Sequence, residues 1–378
     1  MASGKLPSLD IAPRQSREIN IPLPKIDKEN NEYQLVISAR TIAQTDLVPA
    51  NHELAFGELE LNQLALRAFN KDAIGALAAE KNGENIEIAG QGFAVAFNQT
   101  SGEMITLDYG NGNLIQKAIE PNFWRAPTDN DFGFNMPERW VSWKKASSNQ
   151  VLKSFTVSRG SNGEALENKF SGETNTMEVE AVYELPDVSE TIILTYSINI
   201  RGEILIHSKM SSQADNSQLP RFGVNFILPK AYSNVDWYGR GPHENYQDRK
   251  TSARLGTYTS SVADLYYPYI RPQENGYKTE VRWMSFTDES GNGIRISAQD
   301  DLLGFSAHHQ YNDDFDEGPT KINRHTTDIV KRDFVNVNVD YKQMGVGGDN
   351  SWGLQPHEQY KINSKDKLEY QFLISPVK

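Results

Sequence analysis

Residues able to act on a ligand gather in a few places along this 378-residue chain. His243 and Glu244 are neighbours, and a histidine beside a carboxylate is a pairing that acid–base chemistry uses. Asp129-Asn130-Asp131 sets two carboxylates around an amide, a start that could hold calcium, and His308-His309 places two imidazoles side by side. Trp352 follows Gly345, Gly347, Gly348 and Asp349-Asn350, a loop-forming run. Its indole is a flat apolar platform against which the C–H face of a sugar packs while the hydroxyls stay wet. Cysteine is absent, which removes disulfides, thiolate zinc sites and cysteine nucleophiles together.

Most of these groups fail on spacing or facing. Neighbours on a strand point to opposite faces, so His243 and Glu244 would not meet at one substrate atom, and Tyr238–Arg249 reads as a structural turn network. The Asp129–Asp131 run lacks the central glycine and the later bidentate glutamate of a calcium loop. His308 and His309 are adjacent rather than at a ligand spacing with carboxylates. The GVGG run Gly345–Gly348 lacks the Lys-Ser/Thr end of a phosphate loop. Trp352 by itself reads equally as the filler of a loop base. Trp140 and Trp143, three apart, suit core packing better than ligand contact. Tyr267–Gly276 mixes aromatic and polar residues in a way that suits a buried hydrogen-bond network or, less simply, a sugar cleft. Asn98-Gln99-Thr100 fits the glycosylation pattern but sits in a hairpin turn. No catalytic residue and no metal site is assigned in this chain.

The elements that must position these residues are strands. Apolar residues alternate with period two from residue 85 onward: Ile86 and Ile88, then Phe93, Val95 and Phe97, then a turn signal over Asn98–Gly102. The longest run is Ile192, Leu194, Tyr196, Ile198 and Ile200, turned by Arg201-Gly202 into Ile204 and Ile206. Similar strands are expected around Phe222–Leu228, Val335–Val339 and Leu368–Ile374, with no long amphipathic helix after residue 85. Residues 85–378 therefore read as one large, many-stranded double sheet, too long for an immunoglobulin-type sandwich of about 100 residues. Residues 1–75 hold room for three or four strands, a small β domain that is either truncated or leans on the larger one. The Ala- and charge-rich stretch after Asn62 leaves 76–84 as a linker. A net charge of −12 without basic clusters disfavours nucleic acid, and no run of roughly 18 apolar residues spans a membrane.

Four segments resemble the C-terminal region of lactose-cleaving β-galactosidases of glycoside hydrolase family 2: Asn122–Gly133 (NFWRAPTDNDFG), Tyr238–Arg249 (YGRGPHENYQDR), Tyr267–Gly276 (YPYIRPQENG) and Met344–Trp352 (MGVGGDNSW). The resemblance implies an all-β fold, a galactose mutarotase-like β supersandwich preceded by an incomplete immunoglobulin-like domain. It implies that Trp352 contacts the substrate and that Asp131, Gly133, Phe134 and Asn135 belong to an active-site loop hinged at Gly133. Retaining hydrolysis needs two carboxyl groups only about 5–5.5 Å apart. The family carries them on a barrel of about 250 residues, with no counterpart in this strand pattern. The expected partners are thus a β-galactoside and a barrel domain or large subunit, with homo-oligomerisation possible and the chain inactive alone. Magnesium and sodium are expected in the barrel, no cofactor here, and a cytoplasmic setting by family, a periplasmic one being open. Two other readings remain: a free-standing carbohydrate-binding module and an aldose mutarotase-like enzyme.

Overall fold

The computed structural model describes residues 3–7, 9–29, 31–63, 65–160, 162–211, 218–350 and 352–377. The chain divides into two units, Met1–Ala65 and Leu66–Lys378. In the smaller unit the described residues form one antiparallel hairpin, Tyr33–Arg40 against Glu53–Asn62, where three or four strands were expected. Pro7, Pro13, Pro22 and Pro24 explain part of the shortfall, because proline offers no N–H to a strand ladder.

The larger unit is built on a ten-stranded antiparallel sheet. One half runs in the order Arg254–Ser261, Asn234–Gly241, Trp283–Thr287, Gly293–Ala298 and Glu369–Val377. The other continues through Ile204–Ser211, Glu190–Asn199, Thr176–Leu185, Val151–Arg159 and Glu164–Ala165. Two five-stranded sheets pack on it. One runs Lys278–Val281, Leu303–His308, Phe334–Gln343, Arg221–Pro229 and Lys117–Asn122, and the other spans Lys169–Thr174 and the four strands between Gly75 and Asp108. Aromatic pairs join the layers: Phe222 meets Tyr370 at 5.8 Å, Trp237 meets Phe305 at 6.0 Å, and Phe97 meets Tyr196 at 5.0 Å between ring centroids. Edge-on and offset rings add to what their buried area already contributes.

Alternation in the sequence translates directly into facing. Ile192, Leu194, Tyr196 and Ile198 are fully buried along one face of Glu190–Asn199, and the hairpin turn at Gly202 takes a positive φ of 72°. The many-stranded double sheet expected from residue 85 onward is thus present. The proposed linker 76–84 is not a linker: Gly75–Asn82 is a strand pairing with Asn85–Gly90, and its Leu77 and Ala79 are buried. Alternation was hidden there because alanine stands at both inward and outward positions. Helices are short among the described residues, and none is long and apolar enough to cross a membrane. Three of them, Asp129–Gly133, Met136–Arg139 and Val141–Ala146, form one continuous excursion between strands.

Candidate functional site

The glycine run after the strand Phe334–Gln343 is held on both sides by side chains. Asp248 accepts hydrogen bonds from the backbone N–H groups of Val346 (3.1 Å) and Gly347 (2.7 Å). A β-carbon at Gly345 would sit 2.7 Å from that carboxylate, so glycine there is a condition of the close approach. On the other side lies Arg125, fully buried, which donates to the carbonyls of Met344 (2.5 Å) and Gly345 (3.0 Å) and to Asp131 (2.8 Å). Asp131 also closes a capping box: its carboxylate accepts from the Thr128 N–H at 2.9 Å, and the Thr128 hydroxyl accepts from the Asp131 N–H. Asn130 completes the clasp with a bond to the Val346 carbonyl at 3.0 Å.

The segment Tyr267–Gly276 joins through Arg271 and Gln273. The Asp129 carboxylate accepts from Arg271 and Lys321, each at 2.9 Å, and the Asp129 N–H donates to Gln273 at 3.3 Å. Burial works to raise the Asp129 carboxyl, but Lys321 and Arg271 outweigh it and hold the group below its usual value. Beneath them Arg221 donates to the Trp124 carbonyl and pairs with Asp340 (3.1 Å) and Glu274 (3.5 Å), all three side chains buried. Burial pushes the Glu274 carboxyl up against the pull of Arg221. The result is a cleft of about 410 Å³ to which each of the four segments contributes, including Asp129, Tyr246, Asp248, Gln273 and Gly347. Its carboxylates are committed: Asp129 to two cations, Asp248 to two backbone N–H groups, and Glu274 to Arg221. Such an arrangement shapes a surface and offers hydrogen bonds from a fixed frame. With both carboxylates of Asp129-Asn130-Asp131 held by guanidinium or ammonium groups, the run does not fit a calcium site.

Trp352 is 89 % exposed, with its backbone N–H bonded to the Asn350 side chain at 2.9 Å. The next residue, Gly353, has φ 136°, and a β-carbon there would meet the Gly133 carbonyl oxygen at 2.8 Å. The tryptophan and the turn after Gly133 are therefore adjacent, as the motif order alone did not show. Within that turn the roles differ from expectation. Gly133 ends its helix without a positive φ, and the left-handed residue is Asn135 (φ 61°), whose side chain bonds to Glu138 at 2.7 Å. Asp131 and Phe134 are buried, the first on Arg125 and the second against Trp140 at 5.6 Å, so both hold the turn from beneath. Trp140 and Trp143 are core residues, as their spacing suggested.

The facing argument for His243 and Glu244 does not hold. They follow the strand Asn234–Gly241 rather than lie on it, and both line a second cleft. Glu244 is nonetheless fully engaged, accepting from the Tyr269 hydroxyl, from Arg249 (2.6 Å) and from the Gly276 N–H (2.8 Å). His308 and His309 are also spoken for, by Asn275 at 3.0 Å and by the Phe334 carbonyl at 2.6 Å. Burial, with Lys278, Arg221 and His309 nearby, pulls the His308 ring down to about 3 from 6.5. Between those values the unfolded chain binds the extra proton, so stability should fall as pH drops from about 6.5 toward 3, by at most about 4–5 kcal/mol. Urea midpoints measured across that window should show a shallower slope for His308→Gln than for the parent, and equal slopes would contradict the assignment.

Sequence reasoning missed Arg125, Asp248 and Arg221 as the side chains that bind the segments together. The glycine spacing signalled that something approaches the backbone closely, without saying what.

A family model described as the β-galactosidase small chain matches residues 89–374, and one described as β-galactosidase domain 4 matches residues 1–62. The β-galactosidase of Priestia megaterium is 31 % identical over 377 residues, covering 98 % of this chain and 34 % of that protein. The Streptococcus thermophilus β-galactosidase is 26 % identical over 370 residues, covering 97 % and 34 %. The chain thus spans about a third of the length of the curated relatives it matches. Among solved structures, a putative aldose 1-epimerase from Escherichia coli K12 covers 80 % of this chain and 98 % of that chain at 8 % identity and a TM-score of 0.37, a likeness too remote to argue from.

Proposed function

Because the chain belongs to the β-galactosidase small-chain family, we propose that it is the C-terminal, β-rich part of a retaining β-galactosidase that cleaves terminal β-D-galactosides such as lactose. In this reading it supplies one wall of the active site, with Trp352 as the sugar-stacking platform and the turn after Gly133 beside it. The paired carboxylates, together with magnesium and sodium, belong to a barrel carried outside these residues, on a domain or a large subunit. The observation that carries the proposal is the convergence of four separated segments on one cleft, one of which carries an 89 % exposed tryptophan five residues after Gly347. An exposed indole offers a flat apolar face of the kind a sugar's C–H surface packs against. The commitment of every carboxylate in the cleft supports a binding wall rather than a bond-breaking centre.

The test is reconstitution. Purified from a host lacking β-galactosidase, the chain alone should release no chromophore from a nitrophenyl β-galactoside above the blank. Mixed with the barrel-containing remainder of a relative such as the Priestia megaterium enzyme, it should restore turnover. Hydrolysis by the chain alone, or failure of every such mixture despite association, would overturn this reading.

A further inference from the structure

The second cleft holds about 670 Å³, within the range of small-molecule sites. It lies between the strands Asn234–Gly241 and Arg254–Ser261, the turn at His243–Ser252, and the segment Leu265–Tyr269. Its walls are aromatic. Tyr267 and Tyr269 stand 4.6 Å apart at 52°, and Tyr267 is 54 % exposed. Tyr269 is fixed by Glu244, which also holds Arg249, and by Thr326, whose hydroxyl donates to the Tyr269 carbonyl at 2.6 Å. Tyr269 is therefore held in place before any ligand arrives, and the Tyr267 ring leans against it.

At the base lies Lys278, 1 % exposed, its ammonium 5.5 Å from the Trp237 ring centre. Its one hydrogen bond among the described residues goes to the Gly276 carbonyl at 3.0 Å. With its side chain 1 % exposed, Lys278 charges the floor of the cleft from beneath rather than reaching into it. The rim adds Asp264, Ser260 and His243, the last bonded to Ser252 at 3.1 Å. Donors and acceptors of both kinds thus surround ring faces. Glu244 is already paired with Arg249, so an anion would meet Asp264, and a cation would meet Arg249 and Lys278. A neutral polyhydroxylated ligand, which both donates and accepts and carries apolar C–H faces, meets neither objection.

We propose that this cleft binds a neutral mono- or disaccharide, with the Tyr267 ring as its platform and the rim side chains Ser260 and His243 bonding its hydroxyls. The proposal stands on the cleft itself and does not require the enzyme role given above. Titrating the purified chain with galactose and with lactose, followed by calorimetry and by saturation transfer from the protein to sugar protons, tests it. Saturable binding in the millimolar range is expected. Tyr267→Ala, at a half-exposed position that leaves the fold intact, should weaken it about three- to tenfold, as loss of an aromatic contact implies. Tyr267→Phe, which keeps the ring, should retain it, and Val330→Ala, at an exposed position that lines neither cleft, should leave it unchanged. No saturation with either sugar, or binding that survives Tyr267→Ala intact, overturns the proposal. Binding lost with Trp352→Ala but kept with Tyr267→Ala also overturns it, and places the sugar at Trp352 instead.

Discussion

Replacing Arg125 with methionine is expected to destabilise the larger unit by about 3–5 kcal/mol, the cost of removing one partner from a buried ion pair. Arg125 is 0 % exposed and Asp131 1 %, and their 2.8 Å contact is reinforced by the bonds from Arg125 to the carbonyls of Met344 and Gly345. Methionine fills the volume but leaves a buried carboxylate and two carbonyls without their donor. The Thr128 N–H still reaches Asp131, so the helix cap survives, while the tie between that helix and the glycine loop does not. Urea unfolding measures the loss. Adding Asp131→Asn to Arg125→Met should recover part of it, because an amide at that site needs no countercharge and still caps the helix. A single-variant loss within about 1 kcal/mol of zero, or no recovery in the double variant, would show that the pair carries less than its burial implies.

This clasp also explains what the sequence could and could not show. Strand facing was legible because an inward isoleucine or tyrosine beside an outward threonine or serine is a local signal, as along Glu190–Asn199. The strand Gly75–Asn82 was not, since alanine carries too little apolar contrast to mark its inward side. Segments that build the cleft were legible as motifs, yet their meeting is a long-range fact. Asp248 and Gly347 are 99 positions apart, and Arg125 and Gly345 are 220. Nothing near Arg125 in the chain states that it will be buried, for a guanidinium is ordinarily a surface group. The turn after Gly133 shows the same limit: its glycine suggested a hinge, whereas the positive φ falls on Asn135, where a side-chain bond to Glu138 offsets the strain. Facing was misjudged at His243 and Glu244 because the strand ends at Gly241, before either residue.

In a β-galactosidase completed by the remaining domains, Trp352→Ala should lower kcat/KM for a nitrophenyl β-galactoside or lactose by about 10- to 100-fold. That figure corresponds to the roughly 1.5–3 kcal/mol gained by covering a large aromatic side chain. Stability separates this effect from a structural one. At 89 % exposure the indole contributes almost no packing to the chain, so the urea midpoint should move by no more than about 0.5 kcal/mol. Its backbone stays placed by the Asn350 side chain and by the close fit of Gly353 against Gly133, neither of which the substitution touches. Phenylalanine keeps a smaller platform in the same place and should retain an intermediate rate, whereas leucine, apolar but without a ring face, should resemble alanine. If Trp352→Ala leaves kcat/KM unchanged, the exposed indole serves assembly rather than substrate. If instead alanine and leucine both lower the rate but the midpoint falls in parallel, the ring is a structural prop that the completed enzyme buries. Only loss of rate at constant stability, graded by ring face, makes Trp352 the part of the wall that touches sugar.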